Sequence, residues 1–169
     1  MISNGPLLEF EVNGETSGKI FKWSGESKEI DASATAVSYR PILKVEMVLN
    51  GKVVAVVEGD GRQRELTLPF KTKVMESSWI AARAKTISYE GEPEIWAHAN
   101  PVYILKDGKP VYIKRDRDAL RDRWAREVEY YKTAGLQFEK ESQREELMRL
   151  AEETLRILKG PQPPWPQAR

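Results

Sequence analysis

Apolar and polar residues alternate with a period of two over the first two-thirds of the chain, and the period lengthens to that of a helix over the last third. LLEFEV (7–12) alternates apolar with acidic positions, and VNGETSG supplies turn formers before the next strand, KIFKW (19–23). In EIDASATAVSYR (29–40), Ile30, Ala32, Ala34 and Ala36 fall on one face and Asp31, Ser33 and Thr35 on the other. This predicts a half-buried strand ended by Pro41, its small inner residues implying a close approach across a core. KVEMVLNGKVVAVVEG (44–59) brings Val45, Met47 and Leu49 up to Asn50-Gly51 and returns through Val53 to Val57. Asn-Gly tolerates the positive φ of a tight turn, so an antiparallel hairpin is expected.

RQRELTLPF (62–70) and SSWIAARAKTISY (77–89) continue the series, the second setting Trp79, Ala81 and Arg83 against Ile80, Ala82 and Ala84. EIWAHANPVYILKDGKPVYIK (94–114) predicts two short strands around Asp107-Gly108. Short strands at regular spacing with turn chemistry between them point to a mainly β protein, an immunoglobulin-like antiparallel β-sandwich over residues 1–115. From about residue 116, Leu120, Trp124, Val128 and Tyr131 recur at helical spacing, with Gly135 as a stop. Leu147, Leu150, Ala151, Thr154 and Leu158 repeat the design up to Lys159-Gly160. Two stripes of this kind predict a C-terminal α-helical hairpin over 116–160, packed on the sandwich. The prolines of residues 161–169 cannot continue a helix and predict an extended tail.

Composition narrows the function. The formal net charge of +1, from 27 basic and 26 acidic residues, provides no global field for nucleic acid or an anionic membrane. Without cysteine there is no disulfide, thiolate nucleophile or cysteine zinc site, and the redox compartment cannot be inferred. The amino-terminal residues lack the basic and apolar segments of a signal peptide, and no apolar run is long enough for a membrane span. The abrupt start into NGPLLEFEVNG fits a piece of a longer protein.

Candidate chemistry is sparse. His98, the only histidine, shares a predicted strand face with Trp96, opposite Ile95, Ala97 and Ala99. A base or metal ligand needs partners, and a lone imidazole is better explained as packed and hydrogen-bonded at a sheet edge or interface, with Pro101 marking an edge or a strand break just after it. Ser77, Ser78 and Ser88 lack a nucleophile elbow, and the GDG and KDG stretches lack the lysine of a phosphate loop or the acidic ligands of a calcium loop. No cofactor or metal site is therefore expected. The mixed charges of RDRDALRDRWAR suit a solvated helix face. Trp23, Trp96 or Trp165 could form an aromatic platform for sugar or peptide, and a free-standing binding sandwich is the rival expectation.

NGPLLEFEVNGE, VEMVLNGKVV, and the pair SSWIAARA with AHANPVYI resemble, in that order, the carboxyl-terminal region of the CehA/McbA family. These are bacterial proteins with a PHP-type metallohydrolase domain, and the resemblance extends to a two-helix end. It implies that this chain is the non-catalytic part, since the family builds its metal site from histidines and carboxylates of the amino-terminal domain. Trp79, Ala81 and Arg83 match the first motif; Ala97, His98, Asn100, Pro101, Val102 and Tyr103 match the second, with Ala99 in place of the usual threonine. Trp79, Arg83, Trp96, His98, Asn100 and Tyr103 are thus the expected interface or ligand contacts. The implied partner is a metallohydrolase domain of the same protein; the resemblance leaves its substrate, and export of the parent protein, open.

Overall fold

A computed structural model describes residues 2–160. The expected tail, with Trp165, lies outside the described residues. The chain divides into two compact units after Val111.

Among the described residues, the first unit is built from eleven strands in two sheets. The smaller sheet has the order β3 (Glu15–Thr16), β2 (Leu7–Val12), β5 (Lys28–Val37), β8 (Glu65–Val74), all antiparallel. In the larger sheet β7 (Lys52–Glu58) pairs with β6 (Ile42–Leu49), and β6 with β9 (Ser78–Thr86). The far side of β9 is shared by β10 (Trp96–His98) and β11 (Val102–Lys106), two halves of a strand interrupted at residues 99–101. β1 (Ile2–Ser3) lines β10 antiparallel, and β4 (Ile20–Trp23) lines β11 parallel. With β2, β5 and β8 in one layer and β6, β7, β9 and the β10/β11 pair in the other, the chain crosses repeatedly between sheets, as in an immunoglobulin-like sandwich.

The core follows the alternation. Leu8, Phe10 and Val12 of β2, Ile30 of β5, Val45 and Met47 of β6, and Ile80 of β9 are buried. Between them lie Ala32, Ala34, Ala36, Ala82, Ala84 and Ala97, none more than 2% exposed. Alanines on both central strands leave room only for a thin layer, which Phe10, Met47 and Ile80 fill from the flanks.

Asn50 and Gly51 have φ of 51° and 79°, the paired positive values of a two-residue hairpin turn. Asp107 and Gly108 also turn the chain, with φ of 52° and 69°, but the strand expected after them does not form. β9 and β4 already occupy the two edges of β11, so a returning strand would have no edge to pair with. The segment is instead tied down by the Asp107 N–H donating to the Trp23 carbonyl (2.8 Å) and the Ser77 hydroxyl donating to that of Lys109 (2.7 Å).

The second unit holds α1 (Lys114–Thr133) and α2 (Glu141–Lys159). Gly135, at φ 60°, follows the end of α1. Val128 and Ala151 are buried, and beside the small Ala151 the Trp124 indole Nε1 donates to its carbonyl (2.9 Å). Arg117 donates to the carbonyls of Ile157 (3.0 Å) and Gly160 (2.7 Å), closing the carboxyl end of α2. The α2 seam runs through Leu147, Ala151, Leu155 and Leu158, so Leu150 and Thr154, expected within it, lie exposed to one side; Leu120 is likewise exposed on α1. No helix among the described residues is long and apolar enough to cross a membrane.

Candidate functional site

The two sheets differ in what they turn outward. On the smaller sheet most outward cross-strand pairs are polar, Lys71–Asp31 (2.8 Å), Lys73–Glu29 (3.1 Å) and a hydroxyl hydrogen bond between Thr35 and Thr67 (3.0 Å), with one exposed apolar pair, Leu7 and Val37, at one end. Such a face is solvated at little cost. On the larger sheet, strict alternation in β9 buries Ile80, Ala82 and Ala84 and turns Trp79, Ala81, Arg83 and Lys85 outward. Strand register sets Tyr103 beside Trp79, Ile20 beside Tyr103, and Val48 beside Ala81. Half of this face is therefore apolar and aromatic.

The other half centres on Trp96. Lys44, Arg83 and Lys85 place their charged groups 5.7, 5.3 and 5.0 Å from the centroid of its indole, within cation–π range. Beneath them Glu46, only 5% exposed, accepts from Lys44 (2.6 Å) and from Arg83 Nε. Burial pushes the Glu46 carboxyl up, but the hydrogen bonds from Lys44 and Arg83 outweigh it and hold it below the ordinary carboxylate value. Lys85 pairs with Glu94, which also accepts from Trp96 Nε1 (3.1 Å). The result is a hydrogen-bonded, largely neutralised cluster around one aromatic ring.

His98 lies on this outer face, its ring centroid 5.9 Å from that of Trp96, with Ile2 and Arg83 as cross-strand partners. Its side chain hydrogen-bonds to no serine or carboxylate among the described residues. Ser77 and Ser78 are spent on structure: Ser77 accepts from Lys106 N (3.0 Å), and buried Ser78 donates to the Glu76 carbonyl (3.0 Å). Asn100 is exposed in the break between β10 and β11, while buried Ala99 is held through its N–H to the Ala82 carbonyl (2.9 Å). Among the described residues no group of three histidine, cysteine, aspartate or glutamate side chains is placed to hold a metal ion. Trp23 packs against the core and has Lys106 over its ring at 5.4 Å.

Five of the six expected residues, Trp79, Arg83, Trp96, His98 and Tyr103, thus share one face, and Asn100 lies off it in the strand break. Two contributors escape the sequence pattern. Glu46 alternates correctly with Val45 and Met47, but its link to Arg83 depends on β6 lying beside β9. Asn50, recognisable only as a turn residue, also clamps β9: its Oδ1 accepts from Trp79 N (3.0 Å) and its Nδ2 donates to the Ser78 hydroxyl (3.1 Å).

A second cluster joins the β5–β6 and β9–β10 loops. Arg40 donates both guanidinium nitrogens to Glu92 and lies 5.4 and 4.9 Å from the ring centroids of Tyr39 and Tyr89. Its hydrogen bond, with a second from the Tyr89 N–H, brings the Glu92 carboxyl down to about 2.

Fold and face together define an immunoglobulin-like β-sandwich module followed by a helical hairpin. No protein-family model and no curated protein matches the chain. Among solved structures it is similar to the CARDB domain of a Pyrococcus furiosus protein, at 17% identity over 63% of this chain and 99% of that one, with a TM-score of 0.36. It is similar to fibronectin(III)-like modules of CbhA from Clostridium thermocellum, at 20% identity over 60% of this chain and 99% of that one (TM-score 0.32). A lytic polysaccharide monooxygenase of Jonesia denitrificans is 12% identical over 50% of this chain, with a TM-score of 0.31; the match spans 57% of that structure.

Proposed function

We propose that this chain is a non-catalytic accessory module of a larger bacterial, PHP-type metal-dependent hydrolase, and that it docks through the outer face of its larger sheet. The sidedness of the sandwich carries the reading: Trp79, Tyr103, Ile20 and Val48 crowd one sheet, whereas the opposite sheet is lined mainly by charge pairs, with Leu7 and Val37 as its one apolar pair. An apolar centre beside a polar, hydrogen-bonded region is the anatomy of a protein interface. The pairing of Ile2 with His98 adds to this, because any domain joined ahead of residue 1 would begin beside the same face. The rival, a glycan platform, draws less support, since Trp23 packs on the core and the Trp96 ring is already engaged by three cations.

The test is to take the hydrolase domain from the native reading frame and measure its binding to this module. Trp79→Ala and Tyr103→Ala should each weaken binding about tenfold or more, as truncated aromatic anchors do, while Thr67→Ala on the other sheet should leave it unchanged. A reading frame without such a domain, or binding indifferent to both aromatic changes, rules the proposal out.

A further inference from the structure

We propose that the end of the sandwich formed by the β5–β6, β7–β8 and β9–β10 loops binds a neutral glycan, with Tyr39 and Tyr89 as its stacking platform. Both side chains stand in solvent, at 68% and 61% exposure, and neither belongs to the core. The Arg40 Cζ lies 5.4 Å from the first ring centroid and 4.9 Å from the second, so the two rings are no farther apart than the length of a disaccharide. One guanidinium shared in this way covers at most one face of each ring. Trp96 differs, being half-buried among three cations. The loops are fixed before any ligand arrives. Glu92 accepts from both terminal nitrogens of Arg40 and from the Tyr89 N–H (3.1 Å), and the Arg40 N–H donates to the Ser38 hydroxyl (3.1 Å). Ile87 N–H donates to the Pro41 carbonyl (3.0 Å) and Ser38 N–H to that of Arg64 (2.9 Å), lacing the three loops together. Little freedom is left to lose on binding.

The class of ligand follows from the groups these bonds leave over. Arg40 and Glu92 neutralise each other, so the pair at the centre of the site has no net charge with which to select an ion. Arg40 Nε donates to the Tyr39 hydroxyl (3.0 Å), and with the two bonds to Glu92 this leaves two guanidinium N–H groups without a partner among the described residues. The Tyr39 hydroxyl, an acceptor in that bond, keeps its own proton to donate. Flat apolar ring faces beside fixed hydroxyl and guanidinium donors match a pyranose, whose C–H face is apolar and whose rim carries hydroxyls. A peptide held by its main chain needs a strand edge, and these residues lie in loops. The site does not depend on the docking reading, because none of its residues belongs to the face of Trp79 and Tyr103.

The experiment is calorimetric titration of the full chain with neutral soluble oligosaccharides of glucose, N-acetylglucosamine, xylose and mannose. At least one of them should bind. Tyr39→Ala and Tyr89→Ala should each weaken that binding about fivefold or more, the loss of one aromatic contact, while Tyr130→Ala, which removes an exposed ring on α1, should bind like the wild type. Amide shifts of the wild type on adding the sugar give a check free of any folding defect, since the largest should fall at Tyr39, Arg40, Tyr89 and Glu92. No binding across the panel, binding indifferent to both tyrosine changes, or shifts centred elsewhere overturns the proposal. So does a peptide-array hit lost with the same two changes in the absence of sugar binding, which would give the site to a peptide.

Discussion

Arg83 on β9 and Glu46 on β6 are cross-strand partners, and the guanidinium donates through Nε to a carboxylate that is almost wholly enclosed. Removing the arginine leaves Glu46 with Lys44 alone. Arg83→Met should cost about 1–3 kcal/mol of stability, the range for a buried acceptor losing one charged partner, and Glu46→Gln should cost less. In a double-mutant cycle by chemical denaturation the two changes should be clearly non-additive; strict additivity would show that the pair is not coupled.

Arg40 and Glu92 form an ion pair in a separate cluster, and its pH dependence has a definite sign. The Glu92 carboxyl is lowered from 4.5 to about 2 in the folded protein, so its contribution is fully present above 4.5 and is lost as pH falls toward 2. The pair is partly open to solvent, which keeps the effect modest. Glu92→Gln should flatten this part of the acid limb of a melting-temperature profile; an unchanged limb would refute the assignment.

Gly59 makes no demand on φ but allows close packing. Its N–H donates to the Leu43 carbonyl (2.8 Å), and a Cβ at this position would collide with the Ile42 carbonyl oxygen. The obstacle is main chain and cannot rotate away. Gly59→Ala should destabilise the sandwich by about 1–3 kcal/mol or more in urea titration, even though alanine is ordinarily harmless in a loop. A neutral result would mean that β6 and β7 shift apart freely.

Asn50 separates turn geometry from side-chain bonding. Asn50→Gly keeps the positive φ and loses both hydrogen bonds to the start of β9, whereas Asn50→Ala loses the bonds and is strained as well. The expected order of stability is wild type, glycine, alanine, with about 1–2 kcal/mol lost at the first step. Equal stability of the wild type and the glycine variant would show that the clamp on Trp79 contributes nothing.

These residues also mark how far the sequence could be followed. The alternation of β5 identified its core alanines, and that of β9 separated Trp79, Ala81 and Arg83 from Ile80, Ala82 and Ala84, because a period of two is a local property of the chain; which β9 face turns outward is decided by the packing. The Asn50-Gly51 turn was equally local. Asp107-Gly108 has the same chemistry and was expected to close a hairpin, but strand pairing is non-local: the edge it needed belongs to β4, from the first quarter of the sequence. The link of Glu46, through Lys44 and Arg83, to Trp96 depends on β6 and β10 flanking β9, which no single stretch reveals. In the second unit the period was right and the stripe slightly rotated. Positions spaced three and four apart fit more than one seam, and the Trp124 contact with Ala151 selects the one used.

Asn13-Gly14 and Asn50-Gly51 share with Asn4-Gly5 the most deamidation-prone dipeptide, since glycine offers little hindrance to attack of its amide nitrogen on the preceding side chain. In the fold both asparagine side chains are held away from that reaction: Asn13 Oδ1 accepts from Asp31 N (2.8 Å) and Asn50 Oδ1 from Trp79 N. Succinimide formation must wait for local opening. Isoaspartate accumulating at the two sites therefore acts as a chemical clock, one recording how often β2 parts from β5 and the other how often the β6–β7 turn lets go of β9.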